Sequence, residues 1–91
     1  MIIRSYFPLG HSFAPELRIE VVSVSDSALD VEKKVDLYLS YGTRLVWVIN
    51  PRLKSASIHR ANRSLQRIRV DDALDGEDVL PSFKCVLTDI L

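Results

Sequence analysis

The chain has 91 residues, 12 Lys plus Arg against 12 Asp plus Glu, and a hydrophobic share of 47%. That length suits one domain rather than two, the hydrophobic share excludes a disordered chain, and the balanced charge excludes a general attraction to nucleic acid or anionic membrane. Any such binding needs a local patch.

Cys85 is the single cysteine. It cannot form an internal disulfide or build a zinc site alone, which fits a reducing, cytoplasmic setting. Met1 to Gly10 does not read as a signal peptide. No apolar run approaches the roughly 20 residues of a membrane span.

In chain order, Ile2 to Phe7 has the composition of a short strand, and Pro8, Gly10 and Pro15 punctuate a loop. Leu17 to Val22 reads as a strand rich in β-branched residues. A helix follows. Ser27 with Asp30 three residues later is a capping box, and Ala28, Val31, Val35, Tyr38, Leu39 and Gly42 recur at helical spacing. Gly42 is a natural helix terminator. Arg44 to Ile49 is the strongest strand pattern, stopped by Asn50-Pro51. Strand, helix and strand at this spacing predict a βαβ unit with parallel strands.

Ser55 to Arg60 and Ser64 to Val70 read as an antiparallel hairpin turning at Ala61-Asn62-Arg63. Asp71 to Asp78 reads as an acidic, solvated loop, and Val86 to Leu91 as a short closing helix or strand. The fold class expected is α/β, in the mixed α+β sense: a βαβ unit followed by an antiparallel hairpin.

Within the first βαβ strand, alternation puts Glu16, Arg18, Glu20 and Val22 on one face. A charge inside so apolar a strand is costly unless it is paired or binds a metal. Glu20 therefore either meets solvent or a basic neighbour, or is a carboxylate metal ligand. Glu16 lies roughly 13 Å away along an extended strand, too far to grip the same ion easily. On the helix, stepping about 100° per residue from Val31 points Lys33 away from the apolar face. Lys34 lands on its shoulder, beside Asp30, Tyr38 and Tyr41. Its stem can lie over the sheet with the amine at the strand ends, or it can pair with Asp30 at i,i+4.

Three stretches resemble a known family. Ala14 to Asp26 (APELRIEVVSVSD) is similar to the "APDLVVEVLSPSD" segment of the Uma-type restriction endonuclease family. Asp30 to Tyr38 (DVEKKVDLY) resembles its "DLEEKLALY". Gly42 with Leu45 to Pro51 (LVWVINP) resembles its "G…EYWVVDP", and Leu80-Pro81-Ser82-Phe83 its tail "L…LPGF". The order and spacing of these pieces are more specific than any one of them.

The resemblance implies a PD-(D/E)XK nuclease scaffold and Mg2+-dependent cleavage of DNA. Carboxylates in such sites hold the ion against a phosphodiester, and a lysine orients water or stabilises developing charge. The family's glutamate matches Glu20, as metal ligand and catalytic residue. Its usual strand lysine would fall at Val22, and its helix lysine matches Lys34. Two substitutions stand out: Glu16 for the usual Asp, and Val24 for the usual Pro. A full member carries upstream chain with further acids, whereas none of the 15 residues before Glu16 is Asp or Glu. Residues 1–91 are thus expected to form a single truncated domain with a partial restriction-endonuclease-like core.

The remaining charges are less specific. Arg60, Arg63, Arg67 and Arg69 lie in a stretch without acids, and a hairpin bearing them could contact phosphates or be a solvated face. Asp71, Asp72, Asp75, Glu77 and Asp78 lack the spacing of a calcium loop. His11 and His59 read as surface residues, Trp47 and Tyr38 as core, and Cys85 as an inert thiol. Two functions follow: a metal-dependent endonuclease completed by another chain, or a non-catalytic remnant serving as an interaction module. Loss of upstream strands would leave the Glu20 strand with an exposed edge, which predicts a homodimer. The competing outcome is that Ile2 to Phe7 folds back onto that edge.

Overall fold

A computed structural model describes residues 2–6, as backbone, and residues 15–91. Most of the loop expected from Pro8 onward, His11 within it, and half of the Met1–Gly10 segment lie outside the described residues.

Five strands form one sheet whose spatial order repeats their order in the chain: β1 (Ile2–Tyr6), β2 (Leu17–Val21), β3 (Leu45–Asn50), β4 (Ser55–Arg60) and β5 (Leu65–Arg69). β2 and β3 are parallel and joined through helix α1 (Ala28–Ser40), while the other pairings are antiparallel. The expected mixed α+β architecture, a βαβ unit and then a hairpin, is present.

Local chemistry sets the helix ends. The Ser27 side chain accepts a hydrogen bond from the Asp30 backbone amide at 3.0 Å, closing the N-terminus. The chain leaves α1 through Gly42 at φ +106°, a region that favours glycine.

Strand parity sorts the core into two faces. Leu45, Trp47 and Ile49 of β3 join Leu17, Ala56, Ile58 and Ile68 in the larger cluster. Val46 and Val48 meet Val35, Val31, Tyr38 and Leu39 of α1 on the opposite face. β3 is buried on both faces because it is a central strand with a layer on each side.

The layer opposite the helix corrects one expectation. Asp71 to Asp78 is not simply a solvated loop: it contains β6 (Ala73–Asp75), paired antiparallel with β7 (Lys84–Val86). Leu74, Val79 and Leu87 are buried there against the sheet, and Phe83 stacks on Trp47 at 5.6 Å. Gly76 permits the connection, since a Cβ at that position would collide with the Leu80 carbonyl oxygen. The chain closes in a 3-10 turn over Leu87–Ile90.

A second correction concerns the exposed edge. β1 pairs antiparallel along the whole of β2, from Ile2 opposite Val21 to Tyr6 opposite Leu17. The homodimer expectation rested on an open β2 edge, and the chain's own N-terminal strand fills that edge.

Candidate functional site

Glu20 sits on the helix-facing side of β2, in register with Val48 of β3. Its neighbours along that face are Arg18 and Val22, as the alternation of a strand requires. The residue is only 1% exposed. One carboxylate oxygen, Oε1, accepts a hydrogen bond from Arg18 Nε at 3.2 Å. The other, Oε2, is shut off from solvent and has no hydrogen-bond partner among the described residues. A buried carboxylate half satisfied in this way is an expensive arrangement, and it marks the place where a cation or a donor would be most strongly favoured.

Helix α1 supplies the roof. Arg18 lies over the ring of Tyr38, with its guanidinium carbon 3.9 Å from the ring centroid. The guanidinium thus takes part in both a cation–π contact with Tyr38 of the helix and an ion pair with Glu20. Sequence reasoning singled out Glu20 and passed over Arg18, although the i,i+2 parity that pairs them was visible. The Tyr38 contact depends on helix docking and has no local signal.

Lys34 is exposed and stands one helical turn before Tyr38. Its charge acts on Asp26, in the loop leaving the C-terminal end of β2. Asp26 itself is held below the usual carboxylate range, chiefly by the hydrogen bond its carboxylate accepts from the Ser23 backbone amide, with Lys34 adding a smaller effect. Lys34 is thus near enough to the loop after β2 for its charge to be felt by Asp26.

The four arginines do not form one patch. Arg60 donates Nε to both oxygens of Glu77, at 3.1 and 2.9 Å, and its guanidinium is held more firmly charged by that contact. Arg63 pairs with Asp36 of α1 at 2.6 Å. Arg67 and Arg69 share a strand face, in register with Ser57 and Ser55, and are exposed. The acidic segment 71–78 thus neutralises one arginine of the basic stretch, Glu77 holding Arg60, and its Asp78 pairs with Arg44 outside that stretch.

His59 departs from the surface placement expected for it. It is half-buried, its Nε2 lies 3.0 Å from Ser57 Oγ, and burial lowers its pKa against an opposing pull from Glu32. It lines a groove of about 710 Å³ between α1 and the β4–β5 hairpin, together with Val31, Val35, Val48 and Arg67. Glu20 and Lys34 do not line this groove.

Among the described residues no group of three or more His, Cys, Asp or Glu side chains could hold a metal ion. Glu20 is a hard carboxylate donor of the kind Mg2+ accepts with waters in its other positions, and because its Oε2 is secluded from solvent here, such an ion would reach it only if the carboxylate opened. A fuller protein donor set is not present among these residues.

The sequence matches, over residues 10–88, the family described as Uma2, putative restriction endonuclease. The chain belongs to the Uma2 family. A solved structure of a putative nuclease from Anabaena variabilis superimposes with a TM-score of 0.77 at 22% identity, covering 86% of this chain and 44% of that one. This likeness establishes the restriction-endonuclease-like fold, and this Uma2 chain spans less than half the length of that relative. No curated protein matches it. Among the described residues, no helix of this Uma2 chain is long and apolar enough to cross a membrane.

Proposed function

We propose that this chain carries one part of a metal-dependent endonuclease site that acts on DNA, and that the part is catalytically incomplete by itself. The observation that carries the reading is the buried Glu20 carboxylate with its unpartnered Oε2, in a member of a family of putative restriction endonucleases. Glu20 is the ligand for a divalent ion, with Mg2+ the natural candidate. When bound, such an ion supplies polarisation of the phosphodiester and a lowered pKa for the attacking water. Lys34 presents a cation at the strand end, where it can steady negative charge on the phosphate. Arg67 and Arg69 offer exposed charge for backbone contact, and Arg60 and Arg63 contribute less because each is already ion-paired.

Incompleteness follows from the donor count. Hydrolysis of this type uses more acidic ligands than one, so the others must come from chain beyond the described residues or from a partner. We read residues 1–91 as one domain in a reducing, cytoplasmic setting. The alternative, a non-catalytic interaction module, is favoured by the Arg18–Glu20 pair, which already gives the carboxylate a cation. A homodimer would have to form at the outer edge of β1 or β5 rather than at β2.

Calorimetric titration with Mg2+ and Mn2+ tests the reading. Weak binding is expected in the wild type, on the order of millimolar for one carboxylate and several waters, and is expected to vanish in Glu20→Gln. Identical titrations of the two proteins remove Glu20 as a ligand.

A further inference from the structure

Arg18 occupies a place that the rest of the strand makes unusual. A valine there would present an apolar surface beside the glutamate. Arginine instead reaches Glu20 Oε1 at 3.2 Å and sets its guanidinium carbon over the Tyr38 ring, 3.9 Å from the centroid. The Arg18 side chain is 14% exposed and that of Glu20 1%. The contact is therefore largely sheltered from water, where a fixed positive charge acts strongly on its neighbours.

We infer that Arg18 is a built-in counter-cation that closes Glu20 to divalent metal, so that an ion can bind this carboxylate only by displacing the guanidinium. The inference rests on the reading of Glu20 as the metal-binding carboxylate and adds a control on it. Two physical effects act together. The guanidinium is a positive charge hydrogen-bonded to the carboxylate that a second cation would need, and like charges so close repel. The guanidinium is also fixed against the Tyr38 ring, so an ion that displaces it must break the ring contact as well as the ion pair. Arg18 is a positioning residue: it acts through Glu20.

The test compares Mn2+ binding by calorimetry in the wild type, Arg18→Gln, Arg18→Met and Arg18→Lys, each with and without Glu20→Gln. The Gln and Met variants remove the charge and should bind Mn2+ at least about tenfold more tightly than the wild type, a modest effect for one like charge at this range. The gain should disappear when Glu20→Gln is added. The Lys variant keeps the charge and should bind as weakly as the wild type. In the wild type itself, where folding is not in question, Mg2+ should shift the Arg18 Nε–H resonance as the guanidinium leaves Glu20.

Glu20-dependent binding that neither neutral variant strengthens would overturn the inference and leave the endonuclease reading standing. Mg2+ binding through Glu20 that leaves the Arg18 resonance undisturbed would do the same. A gain that survives Glu20→Gln would place the metal elsewhere and also overturn the inference. If Glu20→Gln changes nothing in any background, the metal-binding reading of Glu20 falls, and this inference falls with it.

Discussion

Leu87→Ala probes the layer that covers the sheet face opposite α1. Leu87 is fully buried in the larger core cluster, four residues from the C-terminus. Removing its outer carbons forfeits the transfer energy of a buried leucine and leaves a cavity, together about 2–5 kcal/mol. A terminal segment could reduce that cost by peeling away. Three hydrogen bonds resist peeling: Leu87 N to the Asp72 carbonyl at 2.8 Å, Thr88 N to the Val70 carbonyl at 3.1 Å, and Thr88 Oγ1 to the same carbonyl at 2.6 Å. We therefore expect a loss of about 3 kcal/mol, near the middle of the range. A domain of this size has roughly 5–14 kcal/mol in total, so the variant should stay folded at 25 °C. Urea unfolding should show a lower midpoint with an unchanged m-value. Ile90→Ala, at a half-exposed site of the same turn, is the control and should cost less than about 1 kcal/mol. A loss below about 1 kcal/mol for Leu87→Ala would refute the reasoning. It would mean that the last turn is not part of the cooperative core.

Plasmid DNA incubated with this chain and Mg2+ should remain uncut, because one carboxylate does not make a hydrolytic metal site; cleavage that is lost in Lys34→Ala would show that further acids had been recruited. His59 has a folded-state pKa below the ordinary 6.5, so the unfolded chain binds the extra proton, and stability should fall as pH drops through about 6.5 toward the folded value. His59→Gln should flatten that dependence in urea midpoints measured at about pH 7.5 and 5.5, and an unchanged slope would assign it to another group. Sedimentation equilibrium at micromolar concentration should find a monomer with β1 amides protected from exchange, since β1 pairs the edge on which dimerisation was expected; a dimer with unprotected β1 amides would count against the internal pairing.

Much of the scaffold was legible because its signals are local. The run Leu45 to Ile49 is apolar at every position, which marks a strand covered on both faces, and Ser27, Asp30 and Gly42 mark the helix ends. β6 was hidden for the opposite reason. Ala73-Leu74-Asp75 is three residues among acids, and it is a strand only because β7 pairs with it and Leu74 finds the sheet. Glu20 was conspicuous as a charge in an apolar strand, and Lys34 could be separated from Lys33 by the helical wheel. The role of Arg18 was less accessible. Strand parity places it beside Glu20, but solvent would have been an equally good destination for its head group. Docking of Tyr38 decided the matter, and that contact joins residues 20 positions apart in different elements. His59 was misjudged similarly: its half-burial in the groove beside α1 depends on tertiary structure, and its own strand carries no local signal for it.

The sheet order 1-2-3-4-5 has a consequence for how the chain folds. Each strand's partners in the sheet are the strands that precede and follow it in sequence, so no strand must wait for a distant segment before it can pair. The longest closure within the sheet is the β2-to-β3 crossover, and helix α1 shortens that span as it forms. Topologies with such near-neighbour pairing fold faster than those that bring remote strands together. On a ribosome the strands could add in the order in which they emerge. Segment 73–91, which follows all five strands, is the one that covers the Trp47 face, so that face stays exposed until 73–91 has emerged and is the stretch most open to mispairing in the nascent chain.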